Sequence, residues 1–176
     1  MATTTVFVPK DEFFRAKSRI ITVRPTITLS AYVAEDCIGG LQTLTEIVNF
    51  NGRGGFIHSI TVVDADAENA PLNFLFFSAN PTASTTTDAA PFVIHADDVD
   101  KLIGIVAVAA VDYDLIDAGT SIVTKENLGI VFETVANSTS ALNDGDDNLY
   151  MAVHTSGTPT YTAVDDLIFK IGIVQG

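Results

Sequence analysis

The residues of this chain that could do chemistry are three histidines, one cysteine and three short runs of carboxylates. His58, His95 and His154 stand far apart, and no two share the spacing that puts a pair of imidazoles on one metal ion. No G-x-S-x-G elbow accompanies them, so the sequence offers no activated serine. His58 alternates with Phe56 and Ile60 on one predicted strand face and is expected to be a core or interface histidine. Cys37 has no second cysteine to pair with and is expected to be a buried thiol acting as a small hydrophobe. The carboxylate runs are Asp64, Asp66 and Glu68; Asp97, Asp98 and Asp100; and Asp144, Asp146 and Asp147. Calcium takes roughly six to eight oxygens, and each run could supply a few. None follows the ordered spacing of a helix–loop–helix calcium loop, and all three are expected as solvated turns. Paired carboxylates could also hydrolyse a glycosidic bond. With no Trp in the chain, Tyr113, Tyr150 and Tyr161 are the expected platforms for a sugar. The glycine-rich N-G-R-G-G at 51–55 leads into a strand, whereas a phosphate cradle needs a helix after it. The expectation is a protein that is not an enzyme and holds no metal or cofactor.

The elements that would position such residues are strands. In Gly55–Ser78, residues 56–63 alternate β-branched and aromatic residues with a period of two, and Leu72–Phe77 is apolar on both faces, as a strand inside a core must be. These two runs, joined by an acidic loop, are predicted to form the central hairpin of a β-sandwich. Further strands are predicted at 20–24, 26–33 (broken at Pro25), 41–50, 92–94, 102–115, 127–135, 149–154 and 167–174. His95–Leu102 is predicted to make a helical turn. Residues 79–91 and 136–148 read as long loops, which are commonly functional or mobile. With about eight to ten short strands and no room for crossover helices, the predicted fold class is all-β: a two-sheet sandwich of jelly-roll type with an extended N-terminal arm.

Composition bounds the class. The 176 residues are 47% hydrophobic, which is sufficient for one self-supporting core. No apolar run approaches the roughly 20 residues of a membrane-spanning helix, and the N-terminus lacks the pattern of a secretory signal. The net charge of −13 is unevenly placed. Residues 1–24 carry five basic and two acidic side chains, whereas 25–176 carry four basic and twenty acidic ones. An acidic body repels phosphates, so nucleic acid is not an expected partner. The predicted division is an arm at 1–24 and a sandwich domain at 25–176. Asp11–Arg19 is expected to make one or two helical turns. Phe7, Lys10, Phe13, Phe14, Arg15, Lys17 and Arg19 are the predicted partner-binding residues of the arm, unless Phe13 and Phe14 fold back onto the body.

One further pattern bears on function. A Gly-Gly before a strand (Gly39–Gly40), the glycine-rich turn at 51–55, an apolar run ending in L-F-F-S-A-N-P-T, then L-I-G-I-V-A-V, and a closing G-T-P-T-Y with a terminal strand follow one another in order. From about Val33 to the C-terminus this order resembles small virion structural proteins of tailed bacteriophages. The resemblance implies a capsid decoration or cement protein that sits on the capsid exterior as a symmetric oligomer. It would bind the major capsid protein without catalysis, and a homotrimer matches the places where three shell subunits meet. The alternative is a host-surface module of a fibre or spike, with loops 79–91 and 136–148 binding a glycan.

Overall fold

The computed structural model describes residues 17–45, 47, 54–133 and 148–175. They contain ten strands: β1 (Lys17–Val23), β2 (Gln42–Leu44), β3 (Gly54–Asp64), β4 (Leu72–Phe77), β5 (Leu102–Val108), β6 (Asp114–Asp117), β7 (Thr120–Lys125), β8 (Ile130–Glu133), β9 (Leu149–Thr155) and β10 (Leu167–Gln175). One sheet has six strands in the order β1-β10-β3-β7-β6, with β8 also pairing β3, and the other has four in the order β2-β9-β4-β5. Every pairing is antiparallel. The chain passes repeatedly between the layers and its last strand lies beside its first, which makes the sandwich a jelly roll.

This topology corrects the expected central hairpin. β3 and β4 lie in opposite sheets, and the acidic segment between them is a crossover. Asp64, fully buried at the end of β3, accepts from the backbone N–H groups of Asp66 and Asn69, so its carboxylate holds the turn that carries the chain across. Burial pushes the Asp64 carboxyl above the usual carboxylate range, against those two hydrogen bonds.

Between the sheets lies one apolar core in which Phe74 of β4 meets Phe169 of β10 edge to face, centroids 5.1 Å apart. Leu72–Phe77 is buried on both faces for a reason its composition indicated but did not locate. Leu75 and Phe77 point away from the central core and are covered by Phe92, Ile94 and Leu102, with Leu41 and Tyr150 at the sides. The long segment 79–101 therefore packs on the outside of the four-stranded sheet. Its 3-10 helix at Ala96–Lys101 is the expected turn, capped by the His95 ring nitrogen, which accepts from Asp97 N–H.

Other expectations are revised by local chemistry. Thr26–Val33 is not a strand. Ile27 and Tyr32 bury inward, and Tyr32 N–H donates to the Pro159 carbonyl while its hydroxyl donates to Asp88. The strand predicted at 41–50 is regular only over Gln42–Leu44 among the described residues, and residues 92–94 make a single isolated bridge through Val93. Gly39 and Gly40 have positive φ, and at Gly39 a side chain would also overlap the ring of Pro25. Residues 102–115 do not form one strand, because a short 3-10 turn at Ala110–Asp112 carries the chain from the small sheet to the large one. There the Asp112 carboxylate accepts from Ala109 N–H and pairs with Lys125.

The predicted arm boundary at residue 24 falls beyond β1, whose seven residues pair with β10. Lys17–Arg19, expected within a helical turn, are strand residues. The rest of that turn lies outside the described residues.

Phe74→Ala and Phe169→Ala should each cost about 3–5 kcal/mol in chemical denaturation, as buried aromatic truncations do. Val131→Ala, on an exposed strand face, should change stability by no more than about 0.5 kcal/mol. Similar losses at all three positions would contradict the layering described.

Candidate functional site

The three histidines are not gathered. His58 is exposed on the outer face of the six-stranded sheet, His95 caps the 3-10 helix, and His154 stacks on Phe92 with centroids 5.5 Å apart. His154 Nδ1 also lies 3.4 Å from the Glu35 carboxylate. Cys37 is buried, with its thiol directed at the Thr85 carbonyl; burial first, then the charges of Asp36 and Asp88, push its pKa up to about 12. Such a thiol is a packed group, not a nucleophile.

The carboxylates turn out to hold loops. Asp98, expected in a solvated turn, is fully buried and accepts from Ala83 N–H, Ser84 N–H and the Ser84 hydroxyl, and it pairs with Lys101 at 2.6 Å. Lys101 first, then these hydrogen bonds, hold its pKa down to about 2. Asp66 and Asp166 both accept from Thr162 N–H, Glu68 accepts from Thr160 N–H, and Asp88 accepts from Gly39 N–H. Among the described residues no group of three or more His, Cys, Asp or Glu side chains is arranged to hold a metal ion. Asp144, Asp146 and Asp147 lie outside those residues. Of the expected sugar platforms, Tyr161 is buried, Tyr113 is half-buried against the core with its hydroxyl donating to the Ala70 carbonyl, and Tyr150 is half-buried beside Leu75 and Phe77. No helix among the described residues is long and apolar enough to cross a membrane.

What remains is surface. The four-stranded sheet is covered over β4 and β9 by segment 79–101, but nothing in the described chain covers the six-stranded sheet. Phe56 pairs with Val174 on one side and Val131 on the other, which makes an outward apolar row across β8, β3 and β10; on β1 Ser18 stands opposite Val174, and exposed Ile20 lies two residues along, opposite Gly172. A second row joins Ile168, Val63 and Ile122. Between them Lys170 lies beside Thr61, whose hydroxyl is bonded to that of Thr124.

The row is interrupted by a bulge. Pairing between β10 and β3 passes from Gly172↔Ser59 to Ile173↔Ile57, which leaves His58 as the extra residue. His58 and Ser59 therefore both turn outward, and the inward alternation resumes at Ile60. This corrects the expectation that Phe56, His58 and Ile60 share one face. Its consequence is a shallow groove of about 510 Å³, floored by side-chain-free Gly172 and walled by Ile20, His58 and Val174.

Of the predicted arm residues, Phe7, Lys10, Phe13, Phe14 and Arg15 lie outside the described residues. Lys17 and Arg19 stand on β1, opposite Gln175 and Ile173, at the edge that borders the groove. Sequence reasoning passed over the other edge of this sheet. All four residues of β6 are exposed, with Leu115 and Ile116 apolar between Asp114 and Asp117. Two adjacent apolar residues within a strand put one on each face, and that was the available signal.

No protein-family model matches the sequence, and no curated protein does. Among solved structures, the chain is similar to a chain in the X-ray structure of Tomato Aspermy Virus, with 12% identity and a TM-score of 0.45 over 98% of this chain and 86% of that one. It is also similar to a chain in a structure of deformed wing virus carrying the GFP gene, with 9% identity and a TM-score of 0.42 over 98% and 88% of the two chains. A chain of Desmodium yellow mottle tymovirus matches at 10% identity and a TM-score of 0.26 over 100% and 90%.

The role of Asp98 is open to a pH test. Its folded-state pKa of about 2 lies below the ~4 of an unfolded Asp, so its stabilisation is complete above ~4 and is lost as pH falls towards about 2. Asp98→Asn should lower the melting temperature at pH 7, and the gap from wild type should close as pH falls through that window. A gap independent of pH would contradict the assignment.

Proposed function

We propose that this chain is a non-catalytic capsid decoration protein of a tailed bacteriophage. It sits on the outer surface of the head shell as a homotrimer, binds the major capsid protein and reinforces the shell. The observation that carries the reading is the uncovered outer face of the six-stranded sheet, with its apolar rows and groove, on an otherwise well-packed and acidic body. A face that sets exposed apolar rows on either side of a polar strip of Lys170, Thr61 and Thr124 suits a contact with another protein, whose interfaces mix apolar and polar groups. The sequence resemblance from Val33 onward supports the same reading, and the residues before β1 supply a tether. Individually weak contacts repeated over a symmetric shell become durable through multivalency.

The chain needs no chemistry for this work. Its buried carboxylates Asp64, Asp98 and Asp166 are engaged with backbone N–H groups and its histidines stand apart, which fits a binding role. Nucleic acid and membrane are not partners in this reading, since an acidic body repels both phosphates and anionic lipid surfaces. The glycan-binding alternative loses support at loop 79–91, where the backbone N–H groups of Ala83 and Ser84 are tied to buried Asp98.

Quantitative mass spectrometry of purified virions should place the protein at a copy number that scales with the major capsid protein. A count fixed at the few copies of a fibre would instead favour host recognition. Removal of residues 1–16, which spares β1, should leave a folded body whose affinity for shells is weaker by about tenfold or more, or about 1.4 kcal/mol. Unchanged binding by the truncated protein would remove the tether from the account.

A further inference from the structure

We propose that β6 is a receiving edge, and that Ala2–Val8 of a second copy adds to the six-stranded sheet beside it as a further strand. This rests on the oligomeric reading above and names the surface that would join the copies. β6 pairs with β7 alone, so its outer row of N–H and C=O groups has no sheet partner among the described residues. Such edges are ordinarily blunted by shortness, charge, Pro, a bulge or a covering loop. β6 is short, bulged and flanked by Asp114 and Asp117, yet it has no Lys, Pro or cover among the described residues and displays Leu115, 68% exposed, and Ile116, 60% exposed, with Val111 at 91% just before it. The register with β7 shifts between Leu115 and Asp117, which leaves Ile116 unpaired at the edge.

The sequence supplies a matching strand. Residues 2–8, A-T-T-T-V-F-V, carry no charge and are rich in β-branched residues, and Pro9 ends the run. Strand addition would join the two backbones through main-chain hydrogen bonds, while Val6, Phe7 and Val8 meet the apolar side chains of β6. Lys10 would follow the added strand towards Asp114 and Asp117. Asp112, the third carboxylate of this stretch, is already paired with Lys125 at 2.7 Å.

Placement makes the contact head to tail. The arm enters the sheet at β1, and β6 is the opposite edge of the same sheet, four strand spacings or ~19 Å away. Donor and acceptor are therefore different surfaces of one copy, the heterologous kind of contact that closes into rings such as a trimer. Residues 9–16 can span up to ~28 Å, enough to bridge to a neighbouring edge.

The test uses the full-length chain. Val6→Cys protein is mixed with Leu115→Cys protein and oxidised, with buried Cys37 as the internal control. The expected product is a disulfide-linked dimer that contains one copy of each variant. No link in the mixture, or a link found only within single chains of the double variant, would overturn the proposal. In parallel, Leu115→Lys combined with Ile116→Lys should fold normally but associate about tenfold or more weakly by sedimentation. If that variant still assembles and binds shells as wild type does, the edge assignment fails while the decoration reading stands. If the cross-link forms but the wild-type protein does not bind shells, the edge assignment holds and the decoration reading fails.

Discussion

A sandwich of two sheets has four faces, and each apolar face must be covered by something. The inner two cover one another through Phe74, Phe169 and their neighbours. The outer face of the small sheet is covered by the chain itself, because segment 79–101 folds back over Leu75 and Phe77. The outer face of the large sheet has no such cover among the described residues. Burial of apolar area stabilises by about 25 cal/mol per Å², so the uncovered row of Phe56, Val174 and Val131, with Ile20 nearby on β1, is a standing gain for whatever partner lies on it. The functional reading depends on this asymmetry between the two outer faces.

The acidic residues serve the same asymmetry. A long segment packed on a sheet leaves many backbone N–H groups without ladder partners, and buried donors must be satisfied. Asp98 takes two such groups from residues 83 and 84, Asp64 two from its own crossover, and Asp66, Glu68 and Asp166 hold the segment around Thr160–Ala163. Aspartate suits this task because a short, charged acceptor forms strong bonds to N–H donors. Much of the chain's negative charge is thus structural.

Several of these features were legible in the residues alone. Period-two alternation marked β3, short apolar runs marked β9 and β10, and the doubly apolar run marked β4 as a strand covered on both faces. The sheet to which each strand belongs was not legible, because adjacency in sequence favours a hairpin and only long-range pairing sends β3 and β4 to different layers. The bulge at His58 was hidden for a related reason. Nothing in F-I-H-S-I distinguishes regular alternation from a strand with one extra residue, since the irregularity is set by β10 opposite. Thr26–Val33 has strand composition, yet the Tyr32 hydroxyl and the missing N–H of Pro25 direct it elsewhere. The carboxylate runs were visible, but several partners were not, because they lie far off in the chain: Ser84, 14 residues from Asp98, and Thr162, 96 residues from Asp66.

The central claim is that the outer face of the six-stranded sheet is the face turned towards other proteins in the assembled particle. Hydroxyl-radical footprinting of the free protein against the particle-bound protein reads this directly, residue by residue. The account predicts strong protection on binding at Ile20, Phe56 and Val131, with Val93, Val99 and Ile105 on the opposite side of the sandwich unchanged. Protection at Val93, Val99 and Ile105, with Ile20, Phe56 and Val131 as reactive as in the free protein, would contradict it.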